Sequence, residues 1–330
     1  MGNELKQSAG ICPLCKSKNT KLCASKCKAN LELTDNYYSY VQCQDCQIIT
    51  QMPIPSEEAL SKYYQLIDEG QQRYWSTPEG EAFLAKIQRL QAKIPSKFRG
   101  LIRYLTCAGE DLYPYWHHLK QGSIVDLGAG SASFCLEARR RGWDIKGLEQ
   151  SPGSVALANQ LGFHLIEADI ASEQAIHIIA NADNVILNHV FEHVVDPISF
   201  LQMLRGEMKK GARLILLIPN PNSLWRYVFG HRWYGWDPPV HVHHYSAAAL
   251  QQIIQSHGFQ PIQIRSIRRN DSLTTALNAV GVDVGRLRFL LRILLIPVMP
   301  VLAWIGLGPE LLCVAEVPFE DRTSTPPKTN

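Results

Sequence analysis

The chain has 330 residues, of which 46% are hydrophobic and 19% charged, with a net charge of +3. That length suits two domains or one large domain with attachments, and the composition supports a packed core and excludes a disordered chain. The small positive charge does not by itself argue for nucleic acid. The first ten residues hold no apolar run, so a secretory leader is not expected. Met1-Gly2-Asn3 begins like a myristoylation signal, but Lys6 stands where that signal needs Ser or Thr. Nine cysteines in such a chain are expected to be reduced, cytoplasmic thiols.

Six of those cysteines fall between Cys12 and Cys46. Cys12-Pro13-Leu14-Cys15 and Cys43-Gln44-Asp45-Cys46 form two C-x2-C knuckles with 27 residues between them. Four thiolates on two such turns can close a tetrahedral zinc site, and a closed site is structural because it has no open position. Strands near Leu31–Leu33 and Tyr37–Gln42 would make residues 1–55 a zinc ribbon. Cys23 and Cys27 are left out of the site, since four ligands complete it. Cys107, Cys135 and Cys313 read as ordinary buried residues.

Pro53-Ile54-Pro55 closes the ribbon, and Ser56 is placed to cap a helix whose first turn carries Glu57 and Glu58. Residues 57–66 and 79–93 read as helices, and 95–118 as further helix, so that 56–118 forms a helical linker or lid. From Ser123 short apolar runs alternate with helical segments. Strands are expected at Ser123–Leu127, Ile145–Glu149, His164–Ala168, Asn184–Leu187 and Leu214–Ile218, with helices at 131–141, 153–161, 172–180 and 197–209. A helix at 247–257 and strands near Ile262–Ile267 and Leu311–Val317 follow. The alternation predicts an α/β fold with a Rossmann-like, seven-stranded, mostly parallel sheet and helices on both faces over 119–318, plus the ribbon. Residues 319–330 read as a disordered tail.

The first of these strands runs into Asp126-Leu127-Gly128-Ala129-Gly130. Glycines there allow a sharp turn and close ligand approach, at the strand end where open α/β sheets bind ligands. Ser133 replaces the third glycine of a dinucleotide fingerprint. Glu149, 19 residues after Gly130, can take both ribose hydroxyls, and Asp169 can accept from an adenine amino group. Gln150, Ile170 and Asn188 join Asp126, Gly128, Ala129, Gly130, Glu149 and Asp169 as candidate cofactor contacts.

These motifs, with Asn188-His189-Val190-Phe191-Glu192-His193-Val194-Val195-Asp196-Pro197, resemble those of class I methyltransferases dependent on S-adenosylmethionine (SAM). The last segment is similar to the EHV-x-DP stretch of the ubiquinone-biosynthesis O-methyltransferase branch. The cysteine arrangement resembles the amino-terminal zinc module of certain sugar C-methyltransferases, with Gln47 where such modules often carry Gly. The resemblance implies that the glycine loop holds the methionine end of SAM, the acid after the second strand the ribose, and the Asp after the third the adenine. In that branch a Glu-x-x-Glu-His motif binds a divalent metal in some members. His189 replaces its first Glu, and an imidazole disfavours Mg²⁺, so a catalytic divalent metal is not expected.

Residues 219–246 form an insert rich in Trp, Tyr and His, suited to an acceptor site beside Trp236 and His241. His241 is the first candidate base, with His193 and His189 next. Alternation in His241-Val242-His243 would point both rings to one face. Residues 286–308 include an uncharged run, Ile293–Leu307, too short and too proline-broken for a membrane span. This run either covers the acceptor pocket or, with Arg286, Arg288 and Arg292, meets lipid. The expected reaction is methyl transfer from SAM to a small-molecule hydroxyl of a sugar, glycan precursor or quinone-like lipid, with phosphorylated and lipid-linked acceptors included. The expected location is cytoplasmic or peripheral to the inner face of a membrane. A nucleic-acid-binding or RNA-modifying protein would need a basic stripe, whereas residues 1–50 carry six lysines, no arginine and four acids. An NAD(P)-dependent oxidoreductase is opposed by Ser133 and by Asp169.

Overall fold

The computed structural model describes residues 10–28, 37–75, 113–269, 272–285 and 287–319. The expected helix at 79–93, most of that at 95–118, the strand at Leu31–Leu33, Arg286 and nearly all of the tail lie outside the described residues. Strands β1 (Thr20–Cys27), β2 (Tyr38–Cys43) and β3 (Ile49–Met52) form the ribbon. Helix α1 (Glu57–Trp75) follows, longer than the expected 57–66.

The α/β unit then runs β4 (Ser123–Leu127), α2 (Ser133–Arg140), β5 (Asp144–Glu149), α3 (Pro152–Gln160), β6 (Ile166–Glu167), α4 (Glu173–Ile179), β7 (Asn184–Asn188), α5 (Pro197–Glu207) and β8 (Arg213–Pro219). After it come α6 (Leu224–Phe229), β9 (His243–His244), α7 (Ala247–Ser256), β10 (Gln260–Ile267), α8 (Ser272–Ala279), α9 (Leu287–Leu295), α10 (Val298–Trp304) and β11 (Glu310–Glu316). The seven-stranded sheet has the order β10-β11-β8-β7-β4-β5-β6. β4 to β8 are parallel, and β11 pairs antiparallel with both β8 and β10.

Burial explains the order. β8 is apolar from Leu214 to Pro219 and fully buried there, as a strand covered on both faces must be. β6, at one edge of the sheet, pairs only with β5 and keeps two of its five expected residues. Ser151, Ser172, Asp196, Ser223 and Ser246 each cap the helix that follows through a side-chain oxygen. α2 has no such side-chain cap, and its start faces the glycine loop.

The ribbon is not a free-standing unit. Its sheet has the order β1-β2-β3-β9, so the fourth strand comes from the 219–246 insert. Ile49 pairs with His244 and Thr50 with His243, while Gln51 N–H donates to the Val242 carbonyl at 2.9 Å.

Candidate active site

The cofactor side is built at the carboxyl ends of β4, β5 and β7, around the point where chain order reverses between β4 and β7. Gly128 has φ 72, and a Cβ there would lie 2.6 Å from Val190 Cγ2, so only glycine fits the turn. The N–H groups of Gly128 and Ala129 donate to the Leu148 carbonyl at 2.9 and 2.8 Å. Gly130 N–H donates to Glu149 Oε2 at 2.8 Å, and Ser151 N–H to Glu149 Oε1 at 2.9 Å. The Glu149 carboxylate is thereby held still, and each oxygen keeps a lone pair for a ribose hydroxyl. Asp169 is exposed, its Oδ1 accepting from Ala171 N–H at 2.7 Å. Gln150 is exposed, whereas Ile170 packs partly into the main core.

Asp126 is buried, and burial pushes its carboxyl up to about 7 against a hydrogen bond from the Cys135 thiol. Its Oδ1, like the buried Oδ1 of Asn188, has no partner among the described residues. Two unsatisfied buried acceptors beside a glycine turn fit the ammonium end of SAM, which would also restore the Asp126 charge.

Beyond β7 the chain enters a short 3-10 turn, Phe191–His193. His189 has φ 57, a conformation that costs a non-glycine residue about 1–2 kcal/mol. Its ring bridges two carboxylates, with Nδ1 3.2 Å from Glu192 Oε1 and Nε2 3.2 Å from Glu310 Oε1. Desolvation lowers the pKa of His189, but Glu310 and Glu192 outweigh it and raise it to about 10. Glu192 and Glu310 lose solvent, yet their cationic neighbours, His189 for Glu192 and Arg269 with His189 for Glu310, hold both below the usual carboxylate range.

His193 and His241 lie across from this pair, ring centroids 4.9 Å apart. Desolvation, reinforced by His241, depresses His193 to about 3, so it is neutral; Tyr64 from α1 meets its Nδ1 at 2.9 Å. His241 Nδ1 lies 2.8 Å from the Gly235 carbonyl. A carbonyl only accepts, so Nδ1 carries a proton, and in the neutral ring Nε2 keeps a lone pair, 4.0 Å from Glu192 Oε1. Glu192, His193 and His241 bring one ligand atom each within 4.8 Å of one another. His189 is outside that set, its two nitrogens being taken by carboxylates.

Two expectations about the insert need correction. Trp233 and Trp236 do not line an open pocket: both are almost fully buried, with Trp236 stacked on Tyr40 at 4.5 Å and Trp233 edge-on to Trp236 at 5.2 Å. Nor do His241 and His243 share surroundings. His241 precedes β9 and faces His193 and His244. His243 is fully buried between the Thr50 hydroxyl at 3.1 Å and the Val195 carbonyl at 3.1 Å. Tyr40 ties ribbon to insert, its hydroxyl 2.6 Å from the Trp236 carbonyl and 3.1 Å from that of His241.

At the far end of the ribbon Cys12, Cys15, Cys43 and Cys46 converge, with Sγ–Sγ separations of 3.8 Å (Cys12–Cys46) and 3.4 Å (Cys15–Cys43). A tetrahedron with Zn–S bonds of about 2.3 Å has edges of roughly 3.8 Å, so the four thiolates fit structural zinc. Cys23 and Cys27 lie elsewhere, Cys23 accepting from Arg226 at 2.8 Å and Cys27 buried in the aromatic cluster. Gln47, where a glycine was expected, has φ 61, and its amide folds back to donate to the Gln44 carbonyl.

Residues 85–264 match the family described as methyltransferase domain, over half of the chain. The chain belongs to the methyltransferase-domain family. It shares 25% identity over 149 residues with a ubiquinone biosynthesis O-methyltransferase of Cereibacter sphaeroides (strain ATCC 17025), covering 42% of this chain and 60% of that relative. The enzyme of strain KD131 matches at 25% over 176 residues, covering 49% and 70%. A SAM-dependent methyltransferase of Archaeoglobus fulgidus has 19% identity and a TM-score of 0.44, covering 66% of this chain and 99% of that one.

Three residues that contact the candidate histidines were not anticipated from sequence. Glu310 opens β11 and reaches His189 across 121 positions. Tyr64 sits on α1, and Tyr40 on a ribbon strand. The one signal pointing to any of them was the acid at the head of the apolar run Leu311–Val317.

Proposed function

We propose that the enzyme methylates a hydroxyl of a small-molecule acceptor, with His241 Nε2 as the general base. The observation that carries this reading is the His241 tautomer: the Gly235 carbonyl holds the proton on Nδ1 and leaves Nε2 free beside Glu192. Of the three candidate histidines, His189 is bonded at both nitrogens and charged at neutral pH, and His193 is a poor base once desolvated. When bound, SAM supplies an electrophilic methyl group. Asp126 and Asn188 are suited to its ammonium end, Gly128, Ala129 and Gly130 to close backbone approach, Glu149 to its ribose and Asp169, with Gln150 and Ile170, to its adenine.

The remaining work falls to the chain's own groups. Glu192 Oε2 is buried and has no partner among the described residues, so it can accept a hydrogen bond from the acceptor and orient it. His241 takes the hydroxyl proton as the oxygen–methyl bond forms and the sulfur–methyl bond breaks, and Glu192 stabilises the resulting imidazolium. Alignment supplies much of the rate in such a displacement, and a positioned base typically adds about 10²–10⁴-fold. The 25% identity to ubiquinone O-methyltransferases supports oxygen as the acceptor atom and a ring hydroxyl as one probe.

The test is transfer of isotopically labelled methyl from SAM to catechols, sugar phosphates and nucleotide sugars by zinc-loaded protein. His241→Gln should lower kcat by at least ~100-fold with the affinity for S-adenosylhomocysteine unchanged. Label recovered only as C-methyl or N-methyl product, or only in RNA, refutes the reading. The Glu192, His193, His241 grouping favours one competitor, a divalent ion that orients the acceptor. It predicts turnover restored by Mn²⁺ or Fe²⁺ in protein whose cysteine site is already filled.

A further inference from the structure

Helix α1 carries Leu60, Tyr63, Tyr64 and Ile67, the i, i+3, i+4 and i+7 positions of one helix face. Leu60 and Tyr63 pack with Val240 of the insert, and Tyr64, Ile67 and Val195 lie against them. Asp68, one turn after Tyr64, accepts from the Ser151 hydroxyl, and the Ser151 N–H in turn donates to Glu149. One face of α1 is thus seated on the acceptor insert and tied, through Ser151, to the carboxylate assigned to the ribose. Burial, with the charges of Glu192 and Glu149, pushes the Tyr64 phenol well up, so it keeps its proton.

That proton has one place to go. The Tyr64 hydroxyl lies 2.9 Å from His193 Nδ1 and has no second partner among the described residues. The two rings are 14° from parallel with centroids 6.5 Å apart, the geometry of rings meeting end to end, so the hydroxyl lies near the in-plane lone pair of Nδ1. A phenol is a good donor and a weak acceptor, whereas an imidazole lone pair is a strong acceptor. The contact is therefore O–H···Nδ1, and the neutral His193 ring carries its own proton on Nε2. His193 Nε2 is buried and has no partner among the described residues, and neither has Glu192 Oε2. Ligand atoms of Glu192, His193 and His241 lie within 4.8 Å of one another. The site thus offers an unspent donor, an unspent acceptor and the proposed base.

We propose that Tyr64 is a positioning residue that holds His193 in its Nε2–H form, and that His193 donates this hydrogen bond to a second oxygen of the acceptor, next to the hydroxyl that His241 deprotonates. The place of that second oxygen rests on the hydroxyl-methylation reading; the tautomer does not. A nitrogen that carries a proton has no lone pair for a metal, so the same tautomer counts against a divalent ion on His193.

The test is heteronuclear NMR of the full, zinc-loaded chain, labelled at its histidine nitrogens and bound to S-adenosylhomocysteine, with His193 assigned through His193→Gln. The parent should show His193 protonated at Nε2 and bare at Nδ1. Tyr64→Phe removes only the hydroxyl and should release the ring to a mixture of both forms. Unchanged affinity for S-adenosylhomocysteine will show that the variant is folded. Of catechol, glucose phosphate and UDP-glucose, at least one should shift the Nε2–H resonance of the parent and bind Tyr64→Phe roughly two- to tenfold more weakly. In turnover that loss should fall on KM with kcat nearly unchanged, whereas His241→Gln lowers kcat, so failure of the base and failure of the positioning residue are told apart. A parent ring protonated at Nδ1 overturns the proposal, and so does a Tyr64→Phe ring that keeps the parent form. An Nε2–H resonance that none of the probes moves also overturns it. So does stoichiometric Mn²⁺ binding to zinc-loaded protein that His193→Gln abolishes, by claiming His193 as a ligand.

Discussion

Acid should unfold this enzyme early, and His243 supplies a measurable part of the reason. Its ring is fully buried and both nitrogens are committed, Nε2–H donating to the Val195 carbonyl and Nδ1 accepting from the Thr50 hydroxyl. A charged ring would have to turn the Thr50 hydroxyl from donor to acceptor and give up its solvation. Burial accordingly lowers its pKa to about 4, against smaller raising effects from Val195 and Asp196. In the unfolded chain a histidine takes its proton near pH ~6.5. As pH falls below that value the unfolded state binds a proton that the native state refuses. Stability is thus present above pH ~6.5, declines as pH drops, and levels off below the native value of about 4. Between pH 7 and 5 the loss from this one ring is roughly 2 kcal/mol. His189 runs the other way. Its pKa is raised to about 10, so its contribution is complete below pH ~6.5 and is lost as pH rises through 10. Over the same interval it returns at most about 1 kcal/mol, less after screening at a ring that is one-third exposed. Urea unfolding of the parent and of His243→Gln at pH 7 and 5 isolates the His243 part, because every other titration is common to both. Glutamine keeps a donor for Val195 and cannot titrate, so its loss over the interval should be smaller by roughly 2 kcal/mol. Equal losses in the two proteins would refute the assignment of His243 as a buried neutral ring.

Cys15→Ser should release zinc, measured by atomic emission, and speed amide exchange at Gln51, whose N–H joins the ribbon to Val242. Acceptor turnover should fall with it, while SAM affinity, assigned to the glycine loop and Glu149, which share no hydrogen bond with the cysteine knuckles among the described residues, stays within about twofold. Gly128→Ala should cost about 1–2 kcal/mol for the φ of 72 and more for the overlap with Val190. In thermal unfolding, Val190→Ala in the same chain should relieve only the overlap. Glu310→Gln removes one of the two carboxylates that hold His189 charged, and an NMR titration should show the His189 pKa falling from about 10.

The cofactor side was legible because its information is local. A strand, a glycine turn and an acid at the end of the next strand lie within Ser123–Glu149, and β4 occurs at its expected residues. β10 and β11 follow in the same way from apolar runs bounded by turns. The acceptor side was legible only as a composition. Periodicity says that Trp233, Trp236 and Tyr40 are apolar, not that Tyr40 stacks on Trp236 with Trp233 edge-on beside it, or that His241 comes within 4.0 Å of Glu192. The His189–Glu310 pair closes over 121 positions, and no spacing rule operates at that distance.

The ribbon shows why the two sides differ. Its cysteines announce a metal site, yet their effect on chemistry is carried by backbone. Four thiolates fix the turn between β2 and β3, β3 pairs with β9, and Tyr40 from β2 holds the carbonyls of Trp236 and His241. The segment just before β9 supplies the proposed base, with its Nδ1 proton pinned by Gly235 of the same insert. His241 is thus tied to a ribbon strand 201 positions away. What reads in the sequence as an appended module is, in three dimensions, joined by backbone pairing to the insert that carries the proposed base. The departure at His189 fits the same arrangement: with Glu310 brought in from β11 as a second carboxylate, a cation at that position balances Glu192, whose buried Oε2 has no partner among the described residues.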